Sequence, residues 1–498
     1  MRKYRERLPG GALVLAGTGV LAVVTRLPFV GAGLGPDEGG AAYVARQWSH
    51  GARLYHDVWI DRPQGLLSLY RGIEAIGANA WTIRLAAMLF GVAITWLMFA
   101  LGSMIGDFAT GVAAGVLYAV VGAGPHIEGF TMNGELAAAL PSTAAVAVAV
   151  AWWRGGRGLR WLFAAGVLGG VAILMKQGGF DGLVAAGVLA LAVPHSPSGR
   201  VRAAAAVAAG ALIPITVAAL HALSVGFNTY WSDIVSFRAN AQFHDGSRSH
   251  FFDASLPKAR ADLLALGLLA LVGIAVVARR RTVRVLLGAW LVAALLAFDI
   301  GGLFWPHYYV QLVPPLALLA ALGATAFRSR VLAAALCCAA VVPVVVTLVG
   351  LEADSAAARA AAIPYERDYD VDRRVAEFMR ANTTPAAPVY ALDSRADVYF
   401  LADRRTRYPY IFHHSPILTR SGIDYLRLML TGPRRPRVVA VYRDPNHFDR
   451  SGTLAFLLNR GYRVIWRPAP GVRVLVRRPG WFGHRPHVRH PTGRHLTR

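Results

Sequence analysis

Two acidic side chains stand next to each other at Asp37 and Glu38, in the stretch Gly35-Pro36-Asp37-Glu38-Gly39-Gly40-Ala41-Ala42-Tyr43. Pro36 and Asp37 mark a helix start, so both carboxylates fall in the first turn, near the positive end of the helix dipole. One carboxylate is enough for a cap. A pair can do more, because one acid can act as general base while its neighbour orients a substrate or a metal. Downstream lie Tyr55-His56-Asp57 and Asp61-Arg62-Pro63-Gln64-Gly65. The guanidinium of Arg62 is a donor fork suited to a phosphate at headgroup depth. Lys176 is one of three lysines in the chain, with Lys3 and Lys258, and it closes an apolar run. Charge at that depth is costly unless it does something; the structural alternative is a side chain snorkelling to water.

The elements that must position these groups are set by composition. The chain has 498 residues, of which 55% are hydrophobic and 16% charged, too apolar for a soluble enzyme of this size. Its formal net charge is +24, yet the basic residues fall in short clusters between apolar runs and in the C-terminal part, which argues against a nucleic-acid partner. Arginine supplies nearly all the positive charge in an Ala- and Gly-rich background, as in GC-rich bacterial genomes. The adjacent Cys337 and Cys338 would point about 100° apart on a helix, so neither a mutual disulfide nor a metal site is expected.

Runs of about 20 apolar residues are expected to span a bilayer near 10–30, 81–102, 108–124, 136–153, 161–176, 181–194, 203–224, 261–278, 284–300, 309–327 and 331–351. The expected architecture is therefore a polytopic α-helical membrane protein of about eleven spans. With Met1–Arg7 inside and the first span uncleaved, the clusters Arg154/Arg157/Arg160, Arg200/Arg202, Arg279–Arg281 with Arg284, and Arg328/Arg330 all face the cytoplasm, as the positive-inside rule requires. Counting 63–78 as a span would invert this arrangement, so that segment is read as an interfacial helix on the outer leaflet, with Arg71 and Glu74 on its polar side. An odd number of spans leaves everything after Leu351 outside.

Three regions follow: a transmembrane domain over 1–351 with outer loops at 31–80, 125–136 and 225–260, a small extracytoplasmic α/β domain over 352–478, and a basic disordered tail over 479–498. In the α/β domain, strands are expected at 388–392, 437–442 and 472–476, and helices at 371–382, 395–402 and 451–460. No glycine-rich phosphate-binding turn follows any strand.

This topology sorts the carboxylates. Up to residue 300 only Glu6 and Asp107 fall inside; Asp37, Glu38, Asp57, Asp61, Glu74, Glu128, Glu135, Asp181, Asp233, Asp245, Asp253, Asp262 and Asp299 lie in or beside outer connections. For acids in the long 225–260 loop, ordinary loop polarity is the better reading. Asp37, Glu38, Asp61, Glu135 and Lys176 sit close to span ends, where function is the better one.

The order of these elements resembles the membrane glycosyltransferases of the GT-C class, in the protein-mannosyltransferase and aminoarabinose-transferase branch. An Asp-Glu pair after the first span, a Tyr-x-Asp, an acidic-basic-Pro element and a span opening at Ile83-Arg84-Leu85 carry the likeness. Gly129-Phe130-Thr131-Met132-Asn133-Gly134-Glu135 resembles the second outer loop of that branch. Ala172-Ile173-Leu174-Met175-Lys176-Gln177 resembles its Thr-Lys segment, and His307-Tyr308-Tyr309-Val310-Gln311-Leu312-Val313-Pro314-Pro315 its His/Arg-Tyr...Pro-Pro segment. The sequence departs from the pattern at Arg62 (usually Lys), Gln64 (commonly Pro) and Met175 (commonly Thr).

The resemblance implies transfer of a sugar from a polyprenyl-phosphate carrier to an extracytoplasmic acceptor, at a bacterial plasma membrane. In that reaction Asp37 is the expected base, and Glu38 or Asp61 orients it. Arg62 and Lys176 would hold the departing phosphate, and Tyr43, Asp61, Glu135, His307 and Tyr308 would line the pocket. A divalent cation, magnesium or manganese, on Asp37, Glu128 or Glu135 stays open, since no ligand spacing requires one. The competing class is a multi-span transporter or lipid-linked-sugar flippase. It would place paired charges or broken helices at the midplane, often in related halves, and no internal repeat is visible.

Overall fold

In a computed structural model, residues 8–194, 196–241, 247–353, 366–412 and 420–479 are described. The expectations for Met1–Arg7, Asp245 and nearly all of the basic tail lie outside them. The chain divides into two compact units, one formed by Met1–Ala32 with Asp61–Pro364, the other by Gly33–Ile60 with Tyr365–Arg498. The first outer loop is thus shared between the units, with Asp37, Glu38 and Tyr43 in the second and Asp61 and Arg62 in the first.

The first unit is helical. Each of the eleven apolar runs falls on a helix. Among the described residues eight helices are long and apolar enough to cross a membrane, and the runs at Phe108–Val121, Arg160–Met175 and Asp181–Ala192 form shorter apolar helices. Small residues let neighbouring backbones touch: a Cβ on Gly166 would lie 2.0 Å from the Val207 carbonyl oxygen, and one on Gly210 2.0 Å from that of Phe163. Helices Arg160–Met175 and Pro197–Val225 therefore pack through reciprocal glycines, as helices do where lipid gives no hydrophobic drive between them. The segment 63–78 forms a helix, Gln64–Ile76, of 13 residues. At 1.5 Å per residue it is too short to span. Leu66, Leu67, Tyr70 and Ile73 bury one side of it while Arg71 and Ile76 stay exposed.

The 225–260 connection, expected as a loop, is helical in its described parts, through Phe227–Trp231, Ser232–Ser236 and Phe237–Ala241, then Ser247–His250 and Phe251–Ser255. Two of these turns are π-helical, a departure that often marks functional positions.

The second unit carries a four-stranded sheet of β1 (Val389–Leu392), β2 (Val438–Val441), β3 (Tyr462–Ala469) and β4 (Val472–Arg477), in the order β1-β2-β4-β3. β1 and β2 are parallel, and β4 runs antiparallel to both β2 and β3. Helices Arg420–Thr431 and Thr453–Gly461 cover one face, closing a core of Leu426, Leu430, Val439, Val441, Leu454, Leu458 and Leu475. β3 and helix Arg420–Thr431 have no counterpart among the expected elements. β3 is an edge strand, largely exposed and irregular in register, so it lacks the alternation that betrays a half-buried strand.

Asp449 ties the two covering helices together. Its carboxylate accepts hydrogen bonds from Arg427 (2.7 Å), the Ser451 hydroxyl (2.7 Å) and the Leu454 amide (2.8 Å). Burial alone would raise its pKa, but these donors outweigh it and hold the group at about 2. A lowered folded-state pKa contributes stability above the unfolded value near 3.9 and loses it as pH falls toward the folded one. Asp449→Asn should therefore lower the melting temperature of the purified protein at pH 7, and the gap to the parent should close between about pH 4 and pH 2. A gap that does not change over that range would refute the linkage.

Candidate active site

Helix Pro36–Ser49 carries the acidic pair. Glu38 is buried and its Oε2 accepts from the Gly35 amide at 3.4 Å, so it turns back to cap its own helix. Asp37 is half-buried. The helix is seated on Ala396–Ala402 of the same unit through two glycines: a Cβ on Gly39 would lie 2.3 Å from Asp397 Cα, and one on Gly40 2.9 Å from Ala396 Cβ. Tyr43 seals this seam. Its hydroxyl accepts from the Thr406 amide at 3.1 Å, its ring tilts against Tyr399 with centroids 5.3 Å apart, and burial pushes its pKa up to about 12. Arg46 adds an ion pair to Asp403 at 3.0 Å and lies over the Phe400 ring.

Beneath this seat, burial and the adjacent Asp372 push the Asp397 carboxyl well above the usual range. Arg395 reaches Asp372 at 3.4 Å and stands over the Tyr442 ring at 5.2 Å. The acids of this pocket are structural partners of the helix seat.

The first unit gathers the remaining candidates into one buried cluster. Asp61, Arg62, Glu128, Glu135, Lys176, His307 and Tyr308 are all buried, Glu135 and Tyr308 almost completely. Arg62 Nη1 lies 3.0 Å from both oxygens of Asp61, and Arg238 forms a second ion pair with the same carboxylate. Arg238 also donates to the Tyr308 hydroxyl at 3.1 Å. Lys176 pairs with Glu135 and stands 4.2 Å from the centre of the Tyr308 ring. His307 Nδ1 is 3.1 Å from Glu128, and its Nε2 is 3.9 Å from Glu135. Three cations and three carboxylates thus interlock, with the histidine between two of the acids.

Local structure fixes each member. Asn133 caps helix Gly134–Gly155 by accepting from the Leu136 amide at 2.8 Å, which leaves Glu135 in the first turn. Glu128 adopts a left-handed backbone, φ 55°, a conformation that costs energy for a residue with a side chain. Asp262 holds the turn before it, accepting from the amides of His126 (2.9 Å) and Ile127 (3.2 Å) and facing the His126 ring at 2.8 Å. Gln177 donates to the carbonyls of Asp61 (2.7 Å) and Ile234 (3.1 Å), joining three loops. Gln311 donates to the Gly178 carbonyl and to Asp181, both at 2.7 Å, and Trp290 donates to Asp181 at 2.8 Å.

Arg238 was not among the expected site residues. Nothing in its neighbours, Phe237 and Ala239, marks it, and only the helical folding of 225–260 brings it to Asp61. Among the described residues no three His, Cys, Asp or Glu side chains converge as metal ligands would. Of the candidate metal ligands, Glu135 is engaged by Lys176.

Asp61 is the shared counter-ion of two arginines, Arg62 buried and Arg238 half-buried. Removing one partner of a buried pair strands the other charge. Asp61→Asn should destabilise the protein by about 3 kcal/mol or more, read as a lower melting temperature in detergent. An unchanged melting curve would mean that the arginines do not depend on this carboxylate.

No family model matches the chain, and no curated protein matches it. Solved structures do. ArnT from Cupriavidus metallidurans bound to undecaprenyl phosphate superposes with a TM-score of 0.66 at 16% identity, over 95% of this chain and 99% of that one. The same protein in the apo state gives a TM-score of 0.58 at 16% identity, over 93% and 97% of the two chains. The archaeal oligosaccharyltransferase AglB from Archaeoglobus fulgidus, in complex with an inhibitory peptide and a dolichol-phosphate, gives 0.56 at 12% identity, over 94% and 74%. These likenesses show that the chain shares the fold of ArnT and of AglB.

Proposed function

We propose that this protein is an integral-membrane glycosyltransferase that moves a sugar from a polyprenyl-phosphate carrier to an acceptor outside the cytoplasm. The observation that carries the reading is the cluster of Arg62, Lys176 and Arg238 around Asp61 and Glu135. Two fold neighbours are described with a polyprenyl-type phosphate bound, which supports it.

The cluster suits a lipid phosphate for an electrostatic reason. Its cations are already held in place by carboxylates, and an arriving phosphate can share them through charge-assisted hydrogen bonds. Arg62 offers a planar fork and Lys176 a point charge, and both strengthen as the leaving phosphate gains charge. In the transfer step an acceptor hydroxyl loses its proton to Asp37 and its oxygen bonds to the anomeric carbon. The bond from that carbon to the phosphate oxygen breaks, and polyprenyl phosphate leaves. A single displacement inverts the sugar carbon. Glu38, as the cap of helix Pro36–Ser49, orients the turn that bears Asp37, and Glu128, Glu135, His307 and Tyr308 shape the donor side.

The span order supports an odd count with the second unit outside, where no nucleotide sugar is available and a lipid-linked donor is required. In this reading the protein sits in a bacterial plasma membrane with about eleven spans.

In membranes supplied with a polyprenyl-phosphate sugar, Asp37→Asn should cut transfer by about 10²-fold or more with normal protein abundance; full activity would remove Asp37 from the mechanism. Lys176→Met should lower the turnover number by about 10²-fold, and a variant that transfers at the parental rate would dissociate Lys176 from the leaving group. A phosphatase reporter fused after Leu351 should be active outside the cytoplasm; activity only inside would overturn the orientation.

A further inference from the structure

We propose that the second unit carries a binding site for an acidic saccharide, apart from the residues assigned to sugar transfer. A cleft of about 480 Å³ opens where β2, β3 and β4 run past the helices that cover their shared face. That volume lies within the range of small-molecule sites, about 300–1,000 Å³, and accommodates one or two sugar rings. Its floor is apolar, formed by Val441, Leu458 and Leu475, and its rim is polar, with Asp444, Asn446, Asn459, Arg467 and Arg473.

The chemistry of this lining is selective. A sugar ring presents a C–H face and a ring of hydroxyls that both donate and accept. The floor matches the first, and two amides with one carboxylate match the second. Arg467 and Arg473 add the acidic requirement. Arg473 is half-buried, yet neither guanidinium hydrogen-bonds or pairs with another side chain among the described residues. Arg427, in the same unit, is by contrast matched by Asp424 and Asp449. The surroundings reinforce the sign: residues 420–479 contain 13 arginines against three aspartates and no glutamate. Fixed geometry comes from the sheet, since Arg473 stands opposite Val441 in the β2–β4 register.

The test uses the full chain in lipid nanodiscs and calorimetric titration with four probes: a digalacturonic acid, its neutral digalactose counterpart, a phosphorylated disaccharide and inorganic phosphate. Either acidic disaccharide should bind, which also tells carboxylate from phosphate, and the neutral one should bind at least ten-fold more weakly. Arg473→Gln and Arg467→Gln should each weaken the acidic ligand by about ten-fold, the loss of a hydrogen bond to a charged group, with unchanged melting temperatures. Asn459→Ala should weaken the disaccharides but not inorganic phosphate. Equal binding of neutral and acidic sugars would overturn the proposal. So would acidic binding that survives both arginine variants, or inorganic phosphate that binds as tightly as the phosphorylated disaccharide.

Discussion

Asp61 binds two arginines at once, and the first unit is organised so that neither arginine is left alone in the apolar interior. One arginine, Arg62, follows it directly in sequence; the other, Arg238, comes from a helical segment far along the chain. Burying three cations and three carboxylates is costly by desolvation, and the cost is offset only when each charge faces an opposite one at close range. That requirement fixes the positions of several loops together. The loop at 61–63, the capped start of helix Gly134–Gly155, the turn after Met175 and the segment Pro306–Leu312 must all meet within hydrogen-bonding reach. Gln177, Gln311, Asp181 and Asp262 supply the bonds that hold these loops where the charges need them.

Much of this was legible in the sequence, for physical reasons that differ by element. The helices follow from length and apolarity, since a bilayer admits only helices and closed barrels as spanning structures and runs of about 20 apolar residues fit the first. Glu135 and Lys176 were legible because a charge at a span end is conspicuous, and the two prove to be partners. Arg238 was illegible because an arginine in a polar connection is ordinary, and its significance arises only from a partner 177 positions away that local pattern cannot reveal. Asp181 and Asp262 were visible as acids, but their work as acceptors for Trp290, Gln311 and the 126–127 amides depends on tertiary contacts.

The second unit teaches a different lesson about pattern. β1 and β2 read clearly as strands because both are fully buried, whereas β3, at the edge, carries arginines and a proline that dilute any alternation. The resemblance makes Tyr43 a pocket residue. In the structure its hydroxyl is committed to the Thr406 amide and its ring to Tyr399, so it contributes to how the helix bearing Asp37 is held.

The glycine seat of that helix has a consequence for inheritance and for engineering. Residues 33–60 are separated from the C-terminal segment by more than three hundred positions, yet the two pack as one body, with Gly39 and Gly40 lying against Ala396 and Asp397. A cut that keeps the N-terminal half of one homologue and takes the C-terminal domain of another would set a foreign surface under this helix. Exchange of the domain therefore has to carry two separate pieces of sequence, the early loop and the late sheet, as one cassette written in two places.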